Sequence, residues 1–128
     1  DNDDAGRKTY QKAIDSEELK IKDSTFIKCI GMTDSEFEDC LDINVYKEEL
    51  ENTYGISLNT SDFRNNDKWS DRIKSVFENQ GKLWNDNIEA KVKHTVALSV
   101  SKNPKKALSS HKRNSIDALV DILERKIK

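Results

Sequence analysis

Apolar residues in this chain recur at helical spacing, and little in the sequence interrupts them. Trp69, Ile73, Val76 and Phe77 stand at i, i+4, i+7 and i+8, one face of a helix that Gly81 ends. Ile88, Val92, Thr95, Val96 and Val100 mark another face, and Ile116, Leu119, Val120, Leu123 and Ile127 a last one. Asn103-Pro104 separates these two and opens a short helical turn with Pro at its first position. Nearer the start, Tyr10, Ala13 and Ile14 line a first helix over about residues 5–18, with Leu19 and Ile21 beyond. Asp42 or Asn44 caps a further helix carrying Tyr46 and Leu50, stopped by Gly55, since glycine accepts the left-handed position after a helix. One proline and four glycines in 128 residues exclude a turn-rich β-sandwich and a disordered linker.

Two segments break the helical pattern. Residues 25–30 are β-branched and aromatic, are ended by Gly31, and predict a short strand. One strand makes no sheet, so its partners are expected upstream of residue 1 or in another molecule. Thr33-Asp34-Ser35-Glu36 has capping-box spacing, with Phe37, Cys40 and Leu41 as the apolar face of the helix behind it. Residues 57–67 are polar and read as a loop.

Charge is distributed unevenly. Residues 1–62 hold 16 acids and 7 bases, a balance of −9, while residues 63–128 hold 8 acids and 15 bases, a balance of +7. Such a split fits a cation-collecting site beside a phosphate-attracting surface; it equally fits complementary packing of the two halves. Charged residues are 36% and hydrophobic ones 34%, so the core should be thin. No run of about 18 apolar residues exists, which excludes a membrane-spanning helix. No basic secretory leader is visible, and a cytoplasmic location is expected. Cys29 and Cys40 show no CxxC and lie far from His94 and His111, so zinc spacing is absent and two buried, reduced thiols are expected.

The opening Asp1-Asn2-Asp3-Asp4-Ala5-Gly6-Arg7 carries the most chemistry. A calcium loop fails, because Ala5 and Lys12 stand where oxygen ligands are needed. An Asp-x-Asp phosphotransferase motif fits poorly, because Asp4-Ala5 follows rather than Gly-Thr or Gly-Val. The Toprim signature Asp-x-Asp-x-x-Gly fits at Asp1, Asp3 and Gly6. Spacing of two on an extended segment lets both carboxylates approach one metal, and the glycine permits a tight turn into the helix.

On these residues the chain resembles the C-terminal part of the Toprim domain of OLD-family (overcoming lysogenization defect) nucleases. The resemblance continues through Gly31-Met32-Thr33-Asp34-Ser35-Glu36-Phe37-Glu38-Asp39. More loosely, it takes in Lys68-Trp69-Ser70-Asp71-Arg72-Ile73 and Lys91-Val92-Lys93-His94-Thr95-Val96-Ala97. It implies an α/β Toprim-like segment, helix-dominated with about five or six helices and one or two short strands. Residues 1–58 would form its acidic metal-site half, 59–67 a loop and 68–128 its basic helical half.

The resemblance further implies a DNA endonuclease dependent on Mg²⁺ or Mn²⁺, joined to an ATPase domain and acting in phage defence, with a homo-oligomer as one assembly it allows. Asp1 and Asp3 would ligate metal, Glu38 would complete a second site with Glu36 as the next candidate, and Lys93 would steady the scissile phosphate. Lys91 and Lys93 both flank the apolar stripe, so helical geometry leaves that last choice open. The family also uses a glutamate on an earlier strand, which is not in this sequence. The opening therefore reads as a cut within a longer protein, and the 128 residues alone are expected to be weakly active.

The remaining candidates are plainer. Trp69 and Trp84 could each stack on a base, but Trp69 belongs to an apolar stripe and reads as core. Lys102, Lys105, Lys106, Lys112 and Arg113 lack interleaved aromatics, so any DNA contact there is nonspecific. His94 and His111 have no partner at suggestive spacing. A second class of function also fits the basic half: a non-enzymatic helical module that binds DNA backbone or a partner protein.

Overall fold

The computed structural model describes residues 2–16, 29, 31–107, 120, 121 and 123–125. Four α-helices run through them: α1 (Asp4–Asp15), α2 (Ile43–Tyr54), α3 (Trp69–Asn79) and α4 (Asp86–Lys102). Two 3₁₀ turns accompany them, Phe37–Cys40 and Pro104–Lys106. The architecture is helix-dominated, as the periodicity predicts. No strand occurs among the described residues; an isolated antiparallel bridge joins Asn2 to Ser35. Apart from Cys29, which is not in a strand, the expected strand at 25–30 lies outside the described residues, as does most of the expected last helix, of which residues 120, 121 and 123–125 are helical.

Helix boundaries follow their capping chemistry. Asp42 caps α2 by accepting from the Asn44 backbone N–H at 2.9 Å, and Gly55 ends it in the left-handed conformation at φ 64°. Asn85 caps α4, its Oδ1 accepting from the Ile88 N–H at 2.9 Å. Pro104 opens its 3₁₀ turn as predicted. α3 differs: Lys68 stands at its cap position and makes no side-chain cap of its own.

The core sits between α2, α3 and α4. Trp69, Ile73, Val76 and Phe77 of α3 are all buried, against Tyr46 and Leu50 of α2 and Val92 and Val96 of α4. Fully burying such a side chain contributes about 2 kcal/mol. Aromatic edges organise the packing: Trp69 meets Tyr46 at 6.2 Å between ring centroids, and Phe77 meets Trp84 at 4.9 Å. Trp69 Nε1 donates to the Tyr46 hydroxyl at 3.3 Å, which satisfies the indole inside the core. Trp69 is therefore core, and Trp84 packs at its edge rather than standing free to stack on a base.

Two expectations change. The polar 57–67 loop supplies Leu58 and Phe63 to the core, both buried. It is held by Ser57, which exchanges hydrogen bonds with the Gln80 side chain at 2.7 and 2.8 Å. The helix expected behind Thr33 is a single 3₁₀ turn that leaves Phe37 39% exposed. Its reciprocal cap is shifted by three residues, since the Glu36 backbone N–H is taken by Asp39 Oδ2 at 2.8 Å. Cys29 and Cys40 are buried, as expected, and no disulfide occurs among the described residues. α1 buries none of its residues fully. No helix among the described residues is long and apolar enough to cross a membrane.

Candidate functional site

The site begins where α1 meets the 31–40 segment. Asp3 caps α1, its Oδ1 accepting from the Gly6 N–H at 2.8 Å. The neighbouring Asn2 carbonyl accepts from the Ser35 N–H at 3.0 Å, which sets Asp3 beside the turn that carries Glu36. Arg7 clamps the junction, donating to the Asn2 carbonyl at 3.1 Å and pairing with Asp34.

Two carboxylates from that turn then reach the start of α3. Asp39 Oδ2 accepts from the Trp69 N–H at 3.1 Å, and Glu36 Oε1 accepts from the Ser70 N–H at 2.7 Å. These are the first two orphan donors of the helix. The positive end of α3 is thus capped in trans by residues 30 and 34 positions earlier, in a geometry that favours negative charge. This is why Lys68 can occupy a position that ordinarily takes Ser, Thr, Asp or Asn. Asp39 is completed by Arg72, whose Nη2 meets Oδ1 at 2.5 Å and whose guanidinium lies over the Phe63 ring. With no exposed side-chain surface and every oxygen engaged, Asp39 is structural.

Glu36 is different. It is only 3% exposed, yet its second oxygen faces the half-buried ammonium of Lys93 at 2.7 Å. Burial opposes its ionisation, but the hydrogen bonds from Lys93 and Ser70 outweigh that and lower its pKa. Lys93 is correspondingly raised: burial opposes its charge and the Glu36 hydrogen bond prevails. On the other side, Lys68 Nζ lies 3.5 Å from Asp3 Oδ2. Burial opposes both charges; the Gly6 hydrogen bond and Lys68 lower the Asp3 pKa, while Asp3 and Glu36 raise that of Lys68. Glu38 has no ion pair among the described residues; burial pushes its pKa up, with Lys93 only partly opposing. Of Asp3, Glu36 and Glu38, it alone has its pKa raised rather than lowered.

Of the residues singled out in the sequence, Asp3, Glu36, Glu38 and Lys93 converge through this network. Asp1 lies outside the described residues. Lys93 reaches Glu36, whereas Lys91 is exposed. Lys68, Ser70, Asp39 and Arg72 hold parts that periodicity could not assign, although all four stand in stretches that carry the resemblance. His94, Lys102, Lys105 and Lys106 are exposed; His111, Lys112 and Arg113 lie outside the described residues.

Oxygen donors such as Asp3, Glu36 and Glu38 suit a hard divalent cation. Even so, no three His, Cys, Asp or Glu side chains among the described residues gather closely enough to hold one. The described residues therefore do not by themselves fit a closed metal site; Glu36 and Asp3 instead face ammonium groups. No protein-family model, curated protein or solved structure matches this chain.

Proposed function

We propose that this chain contributes acidic and lysine residues to the active site of a divalent-metal-dependent DNA endonuclease of the Toprim type, similar to the OLD-family nucleases. The observation that carries the reading is convergence. Asp3, the turn carrying Glu36 and Glu38, and Lys93 come from three places in the sequence, yet they gather around the start of α3, with Lys68 acting on both Asp3 and Glu36. A surface built only for solubility has no need to sink Glu36 beside Lys93.

In this reading Asp1 and Asp3 are the metal-facing pair and Glu38 the further acid, with Glu36 second. Mg²⁺ or Mn²⁺, when bound, supplies the hydroxide and the charge that an in-line displacement at phosphorus needs. The chain's own residues do the rest. Lys93 holds Glu36 ionised and would steady an incoming phosphate. Lys68 holds Asp3. Glu38 would complete a second metal site. An attached ATPase domain and a role in phage defence belong to the same proposal.

The test is nicking of supercoiled plasmid by the intact protein in Mg²⁺ or Mn²⁺. Asp3→Asn is the informative variant, since asparagine keeps the cap on α1 and removes the charge. Asp3→Asn and Asp1→Ala are each expected to lower the rate on the order of a hundredfold. Undiminished cleavage by both would sink the assignment.

A second reading has its own observation. Asp3–Lys68, Glu36–Lys93 and Asp39–Arg72 all join the acidic half to the basic half. The charge split is thus partly spent on packing, as a non-enzymatic helical module that binds DNA backbone or a partner protein would allow. Salt-sensitive DNA binding that ignores EDTA and Asp3→Asn, with no cleavage, would favour it.

A further inference from the structure

We infer that the ammonium of Lys68 is a built-in counter-ion that keeps divalent cations off Asp3, so that a cation binds there only in competition with this lysine. The inference rests on the reading of Asp3 as metal-facing and concerns how access to that carboxylate is regulated. Its ground is a mismatch: the acids whose chemistry suits a hard cation face ammonium groups instead, and no three of them gather among the described residues.

Both carboxylates have each oxygen engaged. Asp3 Oδ1 accepts from the Gly6 N–H at 2.8 Å, and its Oδ2 lies 3.5 Å from Lys68 Nζ. Glu36 repeats the arrangement, with Oε1 on the Ser70 N–H and Oε2 on Lys93 Nζ, both at 2.7 Å. In each, one oxygen is on a backbone donor and the other on an ammonium. The two pairs differ in tightness. At 3.5 Å the Lys68 contact is at the long limit of a hydrogen bond, and the lysine is partly exposed on a flexible stem. Lys68 can therefore swing into water, which makes Asp3 the carboxylate that opens more readily.

Lys68 stands at a costly position. It occupies the cap of α3, at the positive end of the helix, where a cation is disfavoured. Neighbouring acids offset that cost. Lys68 is the one base among the residues lining a cleft of about 250 Å³ that also carries Asp34, Asp67 and Asp71. Of those three acids, only Asp34 has an ion-pair partner among the described residues, namely Arg7. Removing the ammonium leaves the Asp3 carboxylate buried, charged and without an ion pair, a state that gains strongly from a new cation. A lysine that merely orients a ligating carboxylate acts the other way, since losing such a partner weakens cation binding. The two roles differ in sign.

The experiment titrates the full 128-residue chain with Mn²⁺, following paramagnetic broadening of backbone amide NMR signals and the thermal midpoint in Mn²⁺ and in EDTA. Lys68→Gln keeps most of the stem and loses the charge. It is expected to bind Mn²⁺ about tenfold more tightly than the wild type, with broadening centred on Gly6. Its midpoint should lie below that of the wild type in EDTA and rise further with Mn²⁺. Lys68→Ser, which supplies an ordinary capping side chain, removes the same charge by an independent route to a folded protein and should show the same gain. Lys68→Arg keeps the charge and should match the wild type. Adding Asp3→Asn to Lys68→Gln should abolish the gain while keeping the cap on α1. Equal or weaker Mn²⁺ binding by Lys68→Gln and Lys68→Ser would overturn the inference and leave the reading of Asp3 standing. A gain that survives Asp3→Asn would overturn it by placing the cation on Asp67 or Asp71. No broadening near Gly6 in any of these proteins would overturn both together.

Discussion

At the scale of single residues, Glu36 and Glu38 show how two carboxyls in one turn acquire opposite tendencies. Glu36 is buried with a lysine and a helix N–H, so its pKa falls; Glu38 is buried without an ion pair, so its pKa rises. The linkage signs follow. Glu36 contributes stability above its unfolded pKa, near 4.5, and loses it as pH falls through the lower folded value. Lys93→Met removes the ammonium and strands the carboxylate. It is expected to cost about 2 kcal/mol at pH 7, less than a fully buried pair because Lys93 still touches water. Urea unfolding at pH 7 and pH 3 checks this, and the loss should shrink at the lower pH.

Glu38 runs the other way. Its raised pKa penalises the folded state above that pKa, and the penalty disappears below the unfolded value near 4.5. Glu38→Gln should therefore raise the urea midpoint at pH 7 and leave it unchanged at pH 3. Lower stability of Glu38→Gln at pH 7 would mean that the ionised carboxylate makes a favourable contact in the folded protein.

At the scale of elements, α3 is the helix on which the site depends. Its apolar stripe is plain in the sequence, and all four stripe residues are buried. Its start is not plain, because local capping rules ask for an acceptor at Lys68 and the acceptors come from Glu36 and Asp39 instead. Asp39→Ala removes one cap and leaves Arg72 unpaired in a half-buried position. A loss of about 3 kcal/mol is expected in chemical denaturation, against about 1 kcal/mol for an ordinary cap. Equal costs for Asp39→Ala and for Asp42→Ala at α2 would show that the trans cap carries nothing extra.

The end of α2 was legible, by contrast. Gly55 sits at φ 64°, and Gly55→Ala should cost about 1 kcal/mol in the same measurement. The turn at Phe37–Cys40 was misplaced for a definite reason. Thr33 and Glu36 have the right spacing for a cap, but Glu36 is drawn away by Lys93 and Ser70. A tertiary ion pair outweighs a local hydrogen bond of about 1 kcal/mol.

At the scale of the whole molecule, the charge asymmetry has a structural use. Three ion pairs stitch residues 3, 36 and 39 to residues 68, 93 and 72, spanning sequence separations of 65, 57 and 33. Each has a carboxylate that is nearly or wholly buried and a base that is partly buried. Salt screens exposed pairs strongly and buried ones weakly. Raising NaCl to 1 M at pH 7 should therefore change the thermal midpoint little, whereas lowering the pH from 5 to 3 should reduce it cooperatively. A large fall with salt would mean that the pairs are effectively solvated.

The amino-acid sequence by itself determined the helical class and the faces of α2, α3 and α4. It also determined the stops at Gly55 and Pro104. Those properties are local: they depend on spacing, backbone freedom and side-chain volume within a few residues. Only the tertiary structure decided which lysine meets Glu36 and what caps α3, and only it turned Leu58 and Phe63 inward from a polar loop. Each of those outcomes joins segments far apart in the chain. Its energy comes from burying a charge or an apolar side chain against a partner that no local pattern names.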